Sequence, residues 1–212
     1  MARVIKRDGS IESFTKEKLM RSVKKAAEAV GVNIDGKFTF DIVPDRDIYS
    51  WELADLVQLE LLKRAVDYPE LAEVAKAHLL GRIYKDVLRK PTDDSPAAAF
   101  DRSLTYNALR LFTNGNFALK DDMRLRETPA MAAGRIVRAV SKPDPIREVY
   151  YKYITQLKLV PASPFWFNAG TRREMFASCF TLEVEDCLSS LTHPGMQCIY
   201  DALTYSGVIQ QL

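Results

Sequence analysis

Cysteine is scarce in this chain and badly placed for cross-linking. The three present, Cys179, Cys187 and Cys198, are odd in number and none belongs to a CxxC pair. That argues against a secreted disulfide scaffold and a zinc ribbon, and makes a reducing cytoplasm the default compartment. The two histidines, His78 and His193, are too isolated to suggest a metal site, and His193-Pro194-Gly195 reads as a turn. Charge of one sign is not in excess: 30 Lys and Arg stand against 28 Asp and Glu, a net +2. No basic field points to nucleic acid. No apolar run is long enough to span a bilayer. The charged first residues lack the apolar core of a signal peptide, so none is expected. Neither internal repeats nor low-complexity tracts occur. What is present, 47% hydrophobic and 27% charged residues in a chain of 212, reads as a globular protein with room for one large domain, or a small one plus part of another.

Residues 3–15, RVIKRDGSIESFT, alternate on both sides of Asp8-Gly9. This predicts a β-hairpin closed by a type I′ turn, with positive φ at both turn residues. Thr15 is placed to N-cap a helix whose apolar face is Leu19, Val23, Ala26, Ala27 and Val30, and Gly31 to end it. In the polar stretch 32–46, KFTF at 37–40 reads as a short strand. A second helix, from about Ser50 to Val66, turns Trp51, Ala54, Val57, Leu61 and Ala65 to one side. A third opens at Pro69 and carries Leu71, Ala75, Leu79 and Val87. PTDDSP at 91–96 is the best boundary in the chain. Helices are expected again over 97–112, near 128–140 and over 145–159. VPASPFWFNAGT at 160–171 reads as a Pro/Gly/Asn loop with three aromatics, FASCFTLEVED as a strand near 176–183, and the last residues as a helix. The fold class is mostly α with small β.

Four cations gather at the start. Lys6 and Arg7 stand on the shoulder of the hairpin, and Lys16 and Lys18 in the first helical turn. Cations there oppose the helix dipole, and Lys18 takes the place where a capping box puts Glu or Gln. Around the free N–H groups of a helix N-terminus they could hold a triphosphate. Composition alone slightly favours four solvated side chains. Geometry adds a condition: neighbouring strand residues point to opposite faces, so Lys6 and Arg7 share one phosphate only where the strand twists or ends.

VIKRDGSIESFTKEKLMRSVKKAA, with LAEVAKAHLLGRIY further on, resembles an ATP-cone, the regulatory nucleotide-binding module at the N-terminus of many ribonucleotide reductases. Val4, Lys6, Arg7, Glu12, Thr15 and Lys18 fill the places of the family pattern, and the likeness covers about residues 3–90. It implies that Lys6, Arg7 and Lys18 meet the phosphates of ATP or dATP, that Glu12 and Thr15 lie near base and ribose, and that Arg82 adds a phosphate contact from the third helix.

SPFWFNAGTRREMFASCFTLEVEDCLSSL resembles the start of the catalytic domain of the ribonucleotide reductase large subunit, a ten-stranded α/β barrel around a thiyl radical. The stretch from TYNALRLF to RIVRAV is similar to the helical segment preceding that barrel. The resemblance implies domains over 1–92 (ATP-cone), 93–160 (helical segment) and 161–212 (first barrel strand and its following helix). It makes Cys179 a redox cysteine, half of a disulfide formed as the substrate loses its 2′-OH. It makes Ser163 and Ser178 substrate-lining residues, and Asp186 an acid of the site where a deoxynucleoside triphosphate effector selects the base. From the residues alone, Cys179 in an alternating strand reads as a small buried hydrophobe, as Cys187 and Cys198 still do. Likewise Asp186 reads as a helix cap and Ser163 as part of a turn.

One strand cannot close a barrel. A partner is therefore expected: the C-terminal part of the reductase, in the same polypeptide or a second one. With it come a thioredoxin-type reductant and a dimeric whole enzyme. The FNAGT loop looks more like the adenosylcobalamin-dependent class than the di-iron class. Two rivals compete with this reading. A stand-alone ATP-cone sensor, such as a repressor, would carry paired CxxC motifs, which the chain lacks. A non-catalytic helical interaction module would tolerate charge removal at Lys6 and Arg7.

Overall fold

The structure is a computed structural model describing residues 2–6, 8–39, 44–115, 117–121, 124–141, 144–172 and 174–176. Past Phe176, the strand expected near 176–183 and the closing helix lie outside the described residues. Among those described, the chain forms eight helices and five short strands, so it is mostly α with small β. It divides into two compact units: Met1–Arg110 with Lys120–Arg126, and Leu111–Leu119 with the chain from Glu127 onward.

In the first unit, β1 (Arg3–Ile5) pairs antiparallel with β2 (Ile11–Ser13), placing Val4 opposite Glu12. On its other edge β1 runs parallel to β3 (Ile48–Tyr49), placing Ile5 opposite Tyr49, so the first strand is the centre of a three-stranded sheet. The hairpin turn differs from expectation. Lys6 N–H donates to the Ser10 carbonyl at 2.8 Å, and Gly9 N–H to the Lys6 carbonyl at 3.0 Å. Gly9 is left-handed at φ +82°. The loop is one residue longer than a type I′ turn because Asp8 is spent locally: its carboxylate accepts the Ser10 N–H and hydroxyl at 2.9 and 2.6 Å.

α1 (Lys16–Ala29) follows, with Thr15 extended at its N-cap and no side-chain capping bond there. Leu19, Val23, Ala26 and Ala27 are buried, whereas Val30, expected on that face, is an exposed C-cap. Gly31, at φ +70°, closes the helix: its N–H reaches the Glu28 carbonyl, and that of Val32 reaches Ala27. This is the paired-bond ending that a glycine permits without strain. KFTF is not a strand among the described residues. Lys37 and Phe38 both donate back to the Ile34 carbonyl, and the Phe38 ring is buried in the core.

α2 (Ser50–Arg64) buries Leu53, Val57, Gln58 and Leu61. Trp51, Ala54 and Ala65 are only half-buried, and Trp51 stacks on Tyr49 at the helix entrance, ring centroids 6.0 Å apart. α3 (Glu70–Leu88) opens after Pro69 and buries Leu71, Val74, Ala75, Leu79, Leu80, Ile83 and Tyr84. The seam of α1, α2 and α3 is dry at Val23, Val57, Leu61, Leu71 and Val74; truncating Leu61 or Leu71 to alanine costs about 2–5 kcal/mol. Beyond the Pro91–Pro96 stretch come α4 (Ala98–Ser103), α5 (Tyr106–Asn114) and the ribbon β4 (Lys120–Asp121) with β5 (Arg124–Leu125). Ala98 and Leu109 join Leu79, Leu80, Ile83 and Tyr84 in one apolar cluster, which keeps the start of α5 in the first unit.

The second unit holds α6 (Pro129–Val140), α7 (Asp144–Thr155) and α8 (Ser163–Asn168). Thr128 Oγ1 caps α6 by accepting the Met131 N–H at 3.3 Å. α8 occupies half of what reads in sequence as an open loop. Pro164 fits its first turn, where a missing N–H costs nothing. A buried ion pair holds it. Arg135 donates to Glu127 from Nε at 2.9 Å and from Nη2 at 2.7 Å, and to the carbonyls of Trp166 and Ala169. Glu127 also accepts the Leu119 N–H at 2.9 Å. No helix among the described residues is long and apolar enough to cross a membrane.

Candidate nucleotide site

Lys6 follows β1 at the mouth of the turn, Glu12 lies across on β2, and Lys18 projects from the first turn of α1. The structure brings these three together. Glu12 Oε1 meets Lys6 Nζ at 2.6 Å, and Glu12 Oε2 meets Lys18 Nζ at 3.1 Å. The two lysines hold the Glu12 carboxyl below the usual carboxylate range, Lys6 more than Lys18, against a small opposing effect of burial. All three side chains keep a third or more of their surface in solvent, at 38, 34 and 58%. One carboxylate between two ammonium groups leaves local charge of +1 beside the N-terminus of α1, whose cap residue Thr15 makes no side-chain bond. A partly exposed cationic cradle beside a helix N-terminus is chemically fit for an anion.

Val4 does not extend that cradle: its side chain is in the core, 5% exposed. Arg7 lies outside the described residues. Arg82, from α3, is engaged with α2. Its Nη1 donates to Asp55 Oδ1 at 2.9 Å and to the Trp51 carbonyl at 3.3 Å. Ser163 is the exposed first residue of α8. Ser178, Cys179 and Asp186, with Cys187, Cys198 and His193, lie outside the described residues.

Sequence reading missed a polar cluster inside the first unit. Asp55 Oδ1 accepts from Arg110 Nη1 at 2.8 Å as well as from Arg82. Tyr106 donates its hydroxyl to Gln58 Oε1 at 3.0 Å. His78 Nε2 is 3.4 Å from Ser22 Oγ, while its Nδ1 is buried without a hydrogen-bond partner. Burial, and secondarily the Arg82 charge, pushes the His78 ring down to about 4. One signal was available: Gln58 interrupts an otherwise apolar helical face, and a buried amide needs a partner.

Comparison with known proteins gives two family matches in sequence. Residues 2–90 match the ATP cone domain. Residues 102–174 match the all-alpha domain of ribonucleotide reductase. The ribonucleoside-diphosphate reductase large chain of Schizosaccharomyces pombe is 27% identical over 132 residues, 61% of this chain and 15% of that protein. The large subunit from Danio rerio is 28% identical over 117 residues, 54% of this chain and 14% of its own. The vitamin B12-dependent ribonucleoside-diphosphate reductase of Thermoplasma acidophilum is 29% identical over 163 residues, 73% of this chain and 20% of its own. The chain thus spans a fifth or less of these relatives.

Proposed function

We propose that this chain, which carries the ATP cone domain and, after it, the all-alpha domain of ribonucleotide reductase, is the N-terminal part of a ribonucleotide reductase large subunit and binds ATP or dATP for allosteric control. The observation that carries the reading is the Lys6–Glu12–Lys18 cradle at the head of a segment matching the ATP cone. Lys6, Lys18 and Arg7 take the phosphates, Glu12 and Thr15 face the nucleoside, and the backbone of Val4 sets the strand that positions them. The contact assigned to Arg82 is the weakest member of the set, since its guanidinium already serves Asp55 and the Trp51 carbonyl.

In the whole enzyme, Cys179 supplies one of the two thiols whose oxidation to a disulfide furnishes the electrons for loss of the 2′-OH as water. Ser163 and Ser178 line the substrate site. Asp186 holds a ribose hydroxyl of the deoxynucleoside triphosphate effector. The rest of the ten-stranded barrel, from the C-terminal part of the reductase, completes the site; a thioredoxin-type protein re-reduces the disulfide, and the assembled enzyme is a cytoplasmic dimer. Relatives with and without B12 in their names match at similar identity. Adenosylcobalamin as the cofactor therefore rests on the Phe167–Thr171 segment. Domain borders near 92 and 160 complete the proposal.

Calorimetric titration of the purified chain with ATP and dATP tests the reading. Binding that weakens at least tenfold in both Lys6→Ala and Lys18→Ala supports it; a tenfold loss is about 1.4 kcal/mol, an ordinary value for one charge-assisted phosphate contact. A folded wild-type chain that binds neither nucleotide refutes it.

A further inference from the structure

The polar cluster missed in the sequence joins the two family segments. Asp55, Gln58 and Arg82 lie within the ATP cone match, and Tyr106 and Arg110 within the all-alpha match. Both cross-links, Arg110 to Asp55 and Tyr106 to Gln58, fall inside the first compact unit. The start of α5 is thus fastened to the cone, while its last residues, Leu111–Asn114, belong to the second unit.

Arg82 ties the same cluster back to the cradle by two routes. Its Nη1 also reaches the carbonyl of Trp51. Trp51 stacks on Tyr49, and Tyr49 pairs with Ile5, the residue before Lys6. On the other side Arg82 lies one turn from His78, His78 is 3.4 Å from Ser22, and Ser22 lies one turn from Lys18. Two guanidinium groups, of Arg82 and Arg110, converge on the one oxygen Oδ1 of Asp55.

We infer that the Asp55–Arg82–Arg110 cluster, with the Tyr106–Gln58 bond, couples occupancy of the Lys6/Lys18 cradle to the position of α5. Arg110 and Tyr106 are positioning residues that touch no nucleotide. The inference rests on the nucleotide reading above. Contiguity alone does not establish coupling. A coupling free energy does, and it must act in both directions.

Two measurements on the whole 212-residue chain test both directions: backbone hydrogen exchange of residues 106–114 with and without saturating ATP, and the ATP dissociation constant by calorimetry. In the wild type, ATP is expected to change exchange across α5 at least threefold. In Arg110→Gln that response is lost and the ATP dissociation constant shifts fivefold or more, although no cradle residue has changed. Tyr106→Phe, which removes one hydroxyl and keeps the packing, serves if Arg110→Gln does not fold; it should move both readouts in the same sense. A merely structural role would lower stability equally with and without ATP and leave the affinity alone. ATP binding with unchanged α5 exchange, or a dissociation constant within twofold in both variants, overturns the inference and leaves the nucleotide reading standing. No ATP binding by the folded wild type overturns both.

Discussion

Removing Glu127 tests how the second unit is held. Glu127 and Arg135 are both nearly dry, side chains 7 and 9% exposed. Glu127→Ala deletes two charged hydrogen bonds, at 2.9 and 2.7 Å, and strands the Leu119 N–H. The guanidinium stays buried with only the carbonyls of Trp166 and Ala169 for partners. Breaking one side of such a pair costs about 3–5 kcal/mol, of which a stranded amide accounts for about 1–3. With a urea m-value of about 2 kcal/mol/M, the midpoint should fall by about 1.5–2.5 M. Trp166 reports on this unit, its indole donating to the Pro161 carbonyl at 3.1 Å. A Trp51→Phe background silences the first unit. Urea unfolding followed by fluorescence then reads the shift directly. Glu127→Leu with Arg135→Met should recover part of the loss, because an apolar pair needs no counter-charge, while the two carbonyls remain unserved. A midpoint shift under about 0.5 M in Glu127→Ala, roughly 1 kcal/mol, would refute the reasoning: it would mean that water reaches the pair and it is worth no more than a surface bridge.

Two further outcomes follow from the first unit. The His78 ring takes up its proton near 6.5 in the unfolded chain and at about 4 in the folded one. Its contribution is therefore intact above pH 6.5 and lost as pH falls from 6.5 towards 4, by about 3 kcal/mol at 1.36 per unit. Urea unfolding at pH 7 and 4.5 should show a steeper acid loss for wild type than for His78→Gln; equal slopes would contradict the burial argument. Glu12→Gln removes the negative charge between Lys6 and Lys18. Because the three groups are partly exposed, stability should change by less than about 1 kcal/mol. Inorganic tripolyphosphate should bind more tightly and the preference for ATP over it should shrink, both by calorimetry; unchanged selectivity would remove Glu12 from the nucleoside side.

Much of this was legible because it is local. The apolar spacing of Leu19, Val23, Ala26 and Ala27 and the glycine at 31 act within a few residues of themselves, and the helix they frame stands where the sequence puts it. What was not legible depends on distant partners. Asp8 reads as half of a type I′ turn until Ser10 claims its carboxylate. KFTF has strand composition, but β1 takes Ile48–Tyr49 as its neighbour instead, and Phe38 is worth more as a plug in the core. The open reading of 160–171 failed because α8 owes its order to Arg135, far back on α6. At the candidate site the same division holds. Lys6, Glu12 and Lys18 lie within one short stretch and their pattern is readable, whereas Asp55 finds its two arginines on different helices, and no single stretch announces that.

The central place of β1 separates local from distant events in folding. The hairpin and the cradle beside α1 are closed by residues near one another in sequence. The parallel pairing with β3 waits for α1 and the loop after it, and the cluster at Asp55 waits for α3 and α5. Pairings over such separations are the slow part of folding. An anion held between the lysines, as the proposed function requires, would favour every state that keeps them in place.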